Sequence, residues 1–296
     1  MKNGQDVIPE VRYTPPVGGA PAVEVLSISE LHRRMQAHAP SLRAERPDFH
    51  LLLTVDDGVI WHMVDFQDYA LADGAWLWVR PGQVQRFGDL SGASGYVVLF
   101  SADVLSPATA AEAALDDPLG GALWVPDTDA GVVHQALAHL VTEFKSTDAP
   151  TPVRAAILHH LLTVLLLRLA NQSALVGTHR EEPADTFRRF RAAVEAGFAE
   201  HRDVTYYSRR LGYAPRTLTR ATIDAAGVGA KEFIDRRVIL EAKRLLAHTD
   251  DPAAVIAARL GFPDASNFVK YFALRAGATP TAFRQQFRAG GDPAQN

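Results

Sequence analysis

The order of apolar and polar positions divides the chain into a strand-rich first part and a helical second part. Short apolar runs alternate with turn residues between residues 49 and 100, and several turns contain Asp-Gly or Pro-Gly pairs. Runs of this length at such regular spacing are typical of an all-β sandwich or barrel. The runs assigned to strands are residues 49–55, 59–64, 76–79 and 96–100.

Beyond these strands the apolar positions recur at helical spacing. One helix is predicted within residues 132–144 and a second over residues 155–169. The second helix is apolar on almost every side, so it must be covered either by its own domain or by a second subunit. His159, His160 and Arg168 interrupt it, and it is shorter than the ~20 residues that span a bilayer. We therefore expect no membrane function.

The last third of the chain repeats itself. The tripeptide Leu-Gly-Tyr at residues 211–213 recurs as Leu-Gly-Phe at residues 260–262, and Gly227 is matched by Gly277 after one inserted residue. Two copies of one supersecondary unit are therefore predicted. Each copy has the pattern of a helix, a glycine turn and a second helix, which is a helix-turn-helix.

The helix boundaries in both copies follow from local chemistry. In the first copy we predict helices over residues 204–210 and 215–226. In the second, Asp251 followed by Pro252 should start the leading helix, Gly261 should end it, and the next helix should begin near Asp264.

One stiff helix over residues 231–248 is expected to join the two copies, because its apolar residues recur at helical spacing. Two recognition helices would then face successive stretches of the major groove, roughly one 34 Å turn of DNA apart.

Charge is distributed unevenly along the chain. Residues 185–296 contain 18 Lys and Arg against 12 Asp and Glu, a net charge of +6, whereas residues 1–184 contain 12 against 22, a net charge of −10. The total of −4 alone would argue against a nucleic-acid partner. A basic C-terminal third indicates contact with a polyanion, although chance asymmetry between two solvated surfaces gives the same numbers.

Length and composition narrow the class of protein further. A chain of 296 residues with 47% apolar content suits two globular domains. The absence of cysteine excludes disulfides, thiolate zinc sites and cysteine nucleophiles, and it fits a reducing cytoplasm. The first thirty residues have no apolar core of the kind found in signal peptides, so none is expected.

Residues from about 187 to 288 resemble the DNA-binding domain of the AraC/XylS family of bacterial transcription regulators. The resemblance covers both helix-turn-helix units, the joining helix, the run Leu-Gly-Phe-Pro-Asp-Ala-Ser-Asn-Phe at residues 260–268 and the closing Gly-Ala-Thr-Pro-Thr-Ala-Phe-Arg at residues 277–284. Residues 48–52 and 78–84 resemble, through weaker motifs, the cupin-like sensor domain often found upstream.

The chain departs from the family pattern at two positions. Thr222 stands where the family usually has a buried aromatic residue, so the first unit is expected to pack less tightly. Pro263 replaces the usual small polar helix cap, which leaves Asp264 to cap the second recognition helix.

Base-reading side chains lie near the start of a recognition helix and opposite its core residue. With Leu218 and Phe268 as core residues, the predicted DNA-facing residues are Arg216, Thr217, Thr219 and Arg220 in the first unit and Ala265, Ser266, Asn267, Val269 and Lys270 in the second. The resemblance implies base and backbone contacts at Arg216, Thr219 and Arg220.

The two sets differ in chemistry. Arginine can address guanine with two hydrogen bonds, whereas the second set is poor in long donors. We expect weaker readout there and mainly phosphate contact from Lys270. The alternative for each arginine is that it lies on an ordinary solvated helix face.

Aromatic and polar residues on the candidate strands suit a small-molecule pocket. The candidate effector-binding residues are His50, Trp61, His62, Trp78, Arg80 and Gln85. The alternative is that the tryptophans are ordinary core residues and that the histidines are either hydrogen-bonded in the core or exposed. It explains any one of these residues equally well. Enzymatic cupins hold a metal through a His-x-His pair, whereas His50 and His62 stand alone, so no metal, cofactor or catalytic residue is predicted.

These observations predict a cupin-like, mostly β effector-binding and dimerisation domain over residues 1–175, a linker over residues 176–186 and an all-α DNA-binding domain over residues 187–290. We expect a cytoplasmic transcription regulator that binds double-stranded DNA and a small-molecule effector and forms a homodimer through residues 130–170. The family resemblance adds RNA polymerase as a partner. The alternatives are a barrel that serves only as an oligomerisation module, and a cupin enzyme with a DNA-binding tail.

Overall fold

The chain folds into a β-rich and a helical compact unit. The computed structural model describes residues 8–14, 23–38, 44–101, 103–106, 109–110, 123–124, 130–146, 151–176 and 185–288. The β-rich unit is Pro9–Thr178, and the helical unit combines His179–Asn296 with Met1–Ile8. This confirms the predicted order of a β-rich N-terminal and a helical C-terminal region. Of the predicted linker, residues 177–184 lie outside the described residues.

The β-rich unit contains the four predicted strands and several shorter ones. Its strands are β1 Glu10–Val11, β2 Val23–Ser27, β3 Arg46–Pro47, β4 His50–Asp57, β5 Ile60–Val64, β6 Gln67–Leu71, β7 Trp76–Val79, β8 Gln85–Phe87, β9 Ser94–Phe100 and β10 Leu123–Trp124. Its helices are α1 Ile28–His38, α2 Ala130–Lys145 and α3 Thr151–Val176.

Two antiparallel sheets enclose the core of this unit. The larger has the order β10-β7-β4-β9-β2 and the smaller β6-β5-β8, while β1 pairs in parallel with β3. Because side chains alternate across a strand, Leu51 and Leu53 of β4 face a core shared with Ile60 and Phe87 of the smaller sheet. The opposite face of the larger sheet, which includes Leu52, packs against α2 and α3.

Helix α3 is longer than predicted. It has 26 residues, starting at Thr151, because Pro152 in the first turn costs no intrahelical hydrogen bond. By length and composition alone, Pro152–Ala170 could cross a membrane, so the expectation that this stretch is too short was wrong. A core helix meets the same criterion. One row of leucines on α3 is buried in the N-terminal core, namely Leu158, Leu162, Leu165, Leu166 and Leu169.

The helical unit consists, in its described part, of two helix-turn-helix pairs around a central helix. Its helices are α4 Asp185–Gly197, α5 Val204–Leu211, α6 Pro215–Ala226, α7 Ala230–His248, α8 Ala253–Arg259, α9 Ala265–Ala276 and α10 Pro280–Arg288. Helices α5 and α6 form the first pair, α8 and α9 form the second, and α7 joins them as predicted.

Of the two aspartates predicted to cap helices, one does so in the structure and the other does not. Asp264 caps α9, because its carboxylate accepts a hydrogen bond from the backbone N–H of Asn267 at 2.7 Å. Asp251 does not cap α8. Pro252 is extended, with ψ of 152°, so α8 starts one residue later than predicted and the Asp251 carboxylate pairs with Arg259 instead.

Thr222 is fully buried on α6. Its hydroxyl donates to the Leu218 carbonyl at 2.7 Å, so the polar atom is satisfied within the helix. The matching Phe272 on α9 is also fully buried. Looser packing of the first unit stays a prediction.

Gly261→Ala should destabilise the protein more than Gly212→Ala. Both glycines have positive φ, +67° and +74°, which costs alanine about 1–2 kcal/mol. A Cβ at Gly261 would lie 2.2 Å from the carbonyl oxygen of Ala199, whereas one at Gly212 meets nothing within 4 Å. We expect losses in the free energy of urea unfolding of about 3 and about 1 kcal/mol, respectively. Equal losses would contradict the packing of the Gly261 turn on Ala199.

Candidate nucleic-acid interface

Both recognition helices bury one face and present the other to solvent. Helix α6 buries Leu218 and Thr222, and α9 buries Phe268 and Phe272. The predicted DNA-facing residues all lie off these buried positions. Arg216, Thr217, Arg220, Ser266, Asn267 and Lys270 are exposed, and Thr219, Ala265 and Val269 are half-buried.

The first recognition helix offers two long cationic side chains. The Arg220 Nε lies 3.8 Å from the carboxylate of Asp224, but both side chains are mostly exposed, so this ion pair contributes little and can be exchanged for a DNA contact. The hydroxyl of Thr219 donates to the carbonyl of Pro215 at 2.9 Å. Arg216 is exposed on the first turn, where base-reading residues are expected.

The second recognition helix is attached to α7 through Asp235. This aspartate is only 4% exposed. It accepts hydrogen bonds from Tyr271 Oη and Arg275 of α9, each at 2.7 Å, and from Lys231 of α7. Burial alone would raise the pKa of Asp235, but these hydrogen bonds outweigh it and lower the pKa. The ionised carboxylate therefore holds α9 to the joining helix at neutral pH.

A second buried charge attaches α7 to the start of the unit. Arg237 of α7 donates through Nε to both carboxylate oxygens of Glu195 on α4, at 2.9 and 3.0 Å, and its guanidinium lies over the ring of Phe198. The aromatic ring of Phe233 on α7 also packs against Phe190 of α4. The joining helix is thus fixed by contacts to α4 and to the second recognition helix α9.

Sequence reasoning missed a possible contact surface on the leading helix α5. Tyr206, Arg209 and Arg210 line an open depression there, and Arg210 donates to the Tyr206 hydroxyl at 3.3 Å. The adjacent arginines near the end of α5 were the available sequence signal. In helix-turn-helix proteins the leading helix crosses the DNA backbone, which suits cationic side chains at this place.

The six candidate effector residues do not form one site. His50, Trp78 and Arg80 lie together, with the Trp78 Nε1 donating to the His50 Nδ1 at 3.1 Å and the guanidinium of Arg80 over the Trp78 ring. Burial, with a smaller effect from Arg80, lowers the pKa of His50 to about 3. Trp78 belongs to the core that α2 and α3 cover.

His62 and Gln85 lie on the smaller sheet, and Trp61 lies apart from them. Because side chains alternate along β5, His62 shares the inner face with Ile60, whereas Trp61 points outward and is 60% exposed. The interior of the sheets can therefore include His62 and Gln85 but not Trp61. The sequence could not show which alternate residues of β5 face inward. Trp61 is apolar and His62 is polar, yet it is His62 that is buried.

His62 is buried without completed hydrogen bonds. It is 1% exposed, and neither ring nitrogen has a hydrogen-bond partner among the described residues, nor does Oε1 of Gln85. Burial lowers the pKa of His62 to about 3, although the neighbouring Gln85 opposes this effect. Gln85 donates to Glu45, whose pKa is raised by burial. We call His62, Gln85 and Glu45 the His62 cluster; Glu45 was not predicted.

The described residues contain no group of three or more His, Asp or Glu side chains arranged to hold a metal ion.

Comparisons with known proteins agree with the architecture. A family model described as a helix-turn-helix domain matches residues 207–286. The HTH-type transcriptional activator RhaS of Enterobacter sp. (strain 638) is 25% identical over 242 residues, covering 80% of this chain and 86% of that protein. RhaS of Shigella dysenteriae serotype 1 (strain Sd197) is 24% identical over 284 residues, covering 94% and 97%.

The solved structures that match this chain are more distant in sequence. ToxT from Vibrio cholerae is 11% identical, covering 89% of this chain and 98% of its own, with a TM-score of 0.44. The C-terminal domain of AraT from Geobacillus stearothermophilus is 22% identical, covering 36% and 88%, with a TM-score of 0.34.

The C-terminal unit is a DNA-binding domain of the helix-turn-helix class, built from two such pairs on one joining helix. With this domain behind a β-rich N-terminal unit, the chain resembles transcription regulators of the AraC/XylS family, as the helix-turn-helix match and the RhaS relatives support. The resemblance seen in the sequence is confirmed.

Arg216→Ala and Lys270→Ala should affect DNA binding differently. We expect Arg216 to read a base, so its loss should cost about 1–3 kcal/mol on a preferred site and relax one base position. Loss of Lys270 should weaken binding to all sequences alike and lower the slope of log affinity against log salt by about 1. Gel-shift titration on preferred and scrambled sites measures both. Unchanged affinity in both variants would reject these contacts.

Asp235→Asn should lower the free energy of unfolding by about 3 kcal/mol at pH 7, because it removes the buried charge that Lys231 and Arg275 face. The native carboxylate has a lowered pKa, so its contribution is present above about pH 4 and is lost as the pH falls through that pKa. Urea unfolding should therefore show the difference between the two proteins shrinking below pH 4. A difference that stays constant down to pH 2 would contradict this role.

Proposed function

We propose that this regulator recognises a specific operator through α6 and α9 and activates transcription in response to a small effector. The observation that carries the proposal is the pair of exposed recognition surfaces on helices that share one buried joining helix. The relatives named as transcriptional activators support the direction of the effect.

We assign the contacts to DNA as follows. Arg216, Thr219 and Arg220 of α6 read bases and adjacent phosphates, and the exposed residues of α9 complete a second, weaker site. Arg209 and Arg210 of α5 contribute phosphate contacts, because the leading helix lies over the backbone. The net charge of +6 over residues 185–296 supports binding to a polyanion. Selection of bound genomic fragments by the full chain tests this assignment and identifies the operator.

We propose that the protein forms a homodimer through α3. The face of α3 opposite its buried leucines carries Val153 and Val164, which are 52% and 46% exposed, with Ala156 and His160 between them. These positions recur at helical spacing and form one stripe. A stripe with two exposed valines, opposite the buried leucine row of the same helix, favours a subunit interface. Two linked DNA-binding units then assist each other through effective concentration.

Val164→Glu should dissociate the dimer. We expect the native chain to be a dimer at micromolar concentration by light scattering, and Val164→Glu to be a monomer that binds a two-site operator about 100-fold more weakly. Val59→Glu is the matched control, since Val59 is an equally exposed apolar residue of the same unit outside the stripe. A monomeric native chain would reject the interface.

The effector site is the His62 cluster, inside a cupin-like barrel formed by the two sheets. Buried polar atoms are almost always hydrogen-bonded to protein or to water, so the His62 ring nitrogens and Gln85 Oε1, which meet no protein partner among the described residues, support a bound polar group at this place. An effector acts only through its different affinity for two states.

His62→Phe should separate stability from response. Replacing unpaired buried nitrogens by an apolar ring should raise the free energy of unfolding by about 1 kcal/mol. It should also abolish the rise in melting temperature that the effector causes in the native protein. The effector is identified first, by screening small metabolites for such a rise. Trp61→Phe, on the outer face of the same strand, should respond as the native protein does. A destabilised His62→Phe variant with an intact response would contradict the assignment.

A barrel that serves only for oligomerisation is the second candidate function. The observation that favours it is the dense interior, where Leu53, Val79 and Val97 are fully buried between the sheets. This candidate predicts no melting shift with any metabolite.

The remaining assignments follow from the regulator family. We infer a cytoplasmic protein without catalytic activity, because its target is the bacterial chromosome and its recognised domain binds DNA. Activation requires a contact with RNA polymerase, which we propose as a further partner. A cupin enzyme with a DNA-binding tail would instead be indicated by stoichiometric bound metal in elemental analysis.

A further inference from the structure

The side chains of Asp264 and Asn267 form a closed pair at the start of α9. One carboxylate oxygen of Asp264 accepts from the backbone N–H of Asn267 at 2.7 Å, and the other accepts from the Asn267 side-chain Nδ2 at 2.8 Å. Both residues are exposed. The aspartate thus caps the helix and at the same time holds the side chain of one of the DNA-facing residues.

This contact determines the orientation of the Asn267 amide. An ionised carboxylate can only accept hydrogen bonds, so the NH₂ group of Asn267 must face Asp264. The carbonyl oxygen Oδ1 then lies on the far side of the planar amide, turned away from Asp264. An asparagine without such a partner could present either its oxygen or its nitrogen to a base.

The first recognition helix has no equivalent pair. Ala214 occupies the cap position of α6 and makes no side-chain cap hydrogen bond, and Thr217 occupies the position that corresponds to Asn267. The first helix therefore addresses DNA with long arginine side chains, and the second with a short amide that is oriented before binding. Groups oriented in advance lose less conformational freedom on association.

We propose that Asp264 is a specificity-determining residue that acts through Asn267. It presents the Asn267 Oδ1 as an acceptor to the major groove, where the base donors are the exocyclic amino groups of adenine and cytosine. The second unit then selects an amino-bearing base, adenine or cytosine, at one position. This inference rests on the proposed binding of α9 in the major groove.

Asp264→Ser isolates this role from helix capping. The serine hydroxyl still accepts from the backbone N–H of Asn267, since serine is among the preferred cap residues, but it has no second oxygen to hold the amide. We expect the preference for an amino-bearing base to fall about fivefold at one operator position in competitive binding of the full chain to sites with every single-base substitution. Asn267→Ala should lose preference at the same position, and the double variant should lose no more than Asn267→Ala alone.

Asp203→Ser is the matched control. Asp203 caps α5 by accepting from the Thr205 N–H at 3.1 Å, so the same substitution there alters a helix cap without touching Asn267. It should leave every base preference within about twofold of the native value. Circular dichroism of all variants reports whether the helices remain folded.

Two outcomes would overturn the proposal. Asp264→Ser could change binding to all sites by one common factor, which would reduce Asp264 to a cap or a repulsive charge. Alternatively, Asn267→Ala could alter base preference while Asp264→Ser does not. Failure of the proposed function gives a different result, in which neither Asn267→Ala nor Arg216→Ala changes binding to any site.

Discussion

The buried joining helix α7 is the constraint on which the DNA-binding unit depends. Its Asp235 holds Tyr271 and Arg275 of α9, and its Arg237 holds Glu195 of α4. Both charges are almost completely buried, and breaking such pairs costs far more than breaking exposed ones. Helix α9 of the second pair and α4, which precedes the first pair, are therefore both held to this one helix.

The turn at Gly261 adds a second connection that does not pass through α7. This turn lies so close to the carbonyl of Ala199 that only glycine fits, and Arg202 donates to the Gly261 carbonyl at 2.6 Å while lying over the ring of Phe262. The second helix-turn-helix is thus packed directly on the segment that precedes the first. Rigid spacing matters for function because DNA presents its major groove at a fixed repeat.

Local chemistry predicted the helical unit well. The glycine turns, the joining helix and the cap at Asp264 all follow from residues within one or two helical turns of each other. The prediction that Asp251 caps α8 was wrong because Pro252 is extended, so α8 begins one residue later. The Asp235 contacts could not be predicted, since Tyr271 and Arg275 lie 36 and 40 residues away in the chain.

The N-terminal unit was harder to predict for a physical reason. Strand periodicity indicates that alternate residues share a face but does not indicate which face is buried, and this left Trp61 grouped with His62 although they point in opposite directions. Glu45 was missed because its pairing with Gln85 joins segments 40 residues apart. Hydrogen bonding, not burial, distinguishes His62 from His50, since both are buried but the His50 Nδ1 accepts from Trp78.

The most direct measurement is the affinity of the full chain for an operator whose two contact regions are moved apart. Footprinting should show two protected regions about 10 base pairs apart on one face of the duplex. Inserting five base pairs between them should lower affinity about 100-fold, because the fixed helices can no longer reach both regions. Unchanged affinity after the insertion would contradict the account.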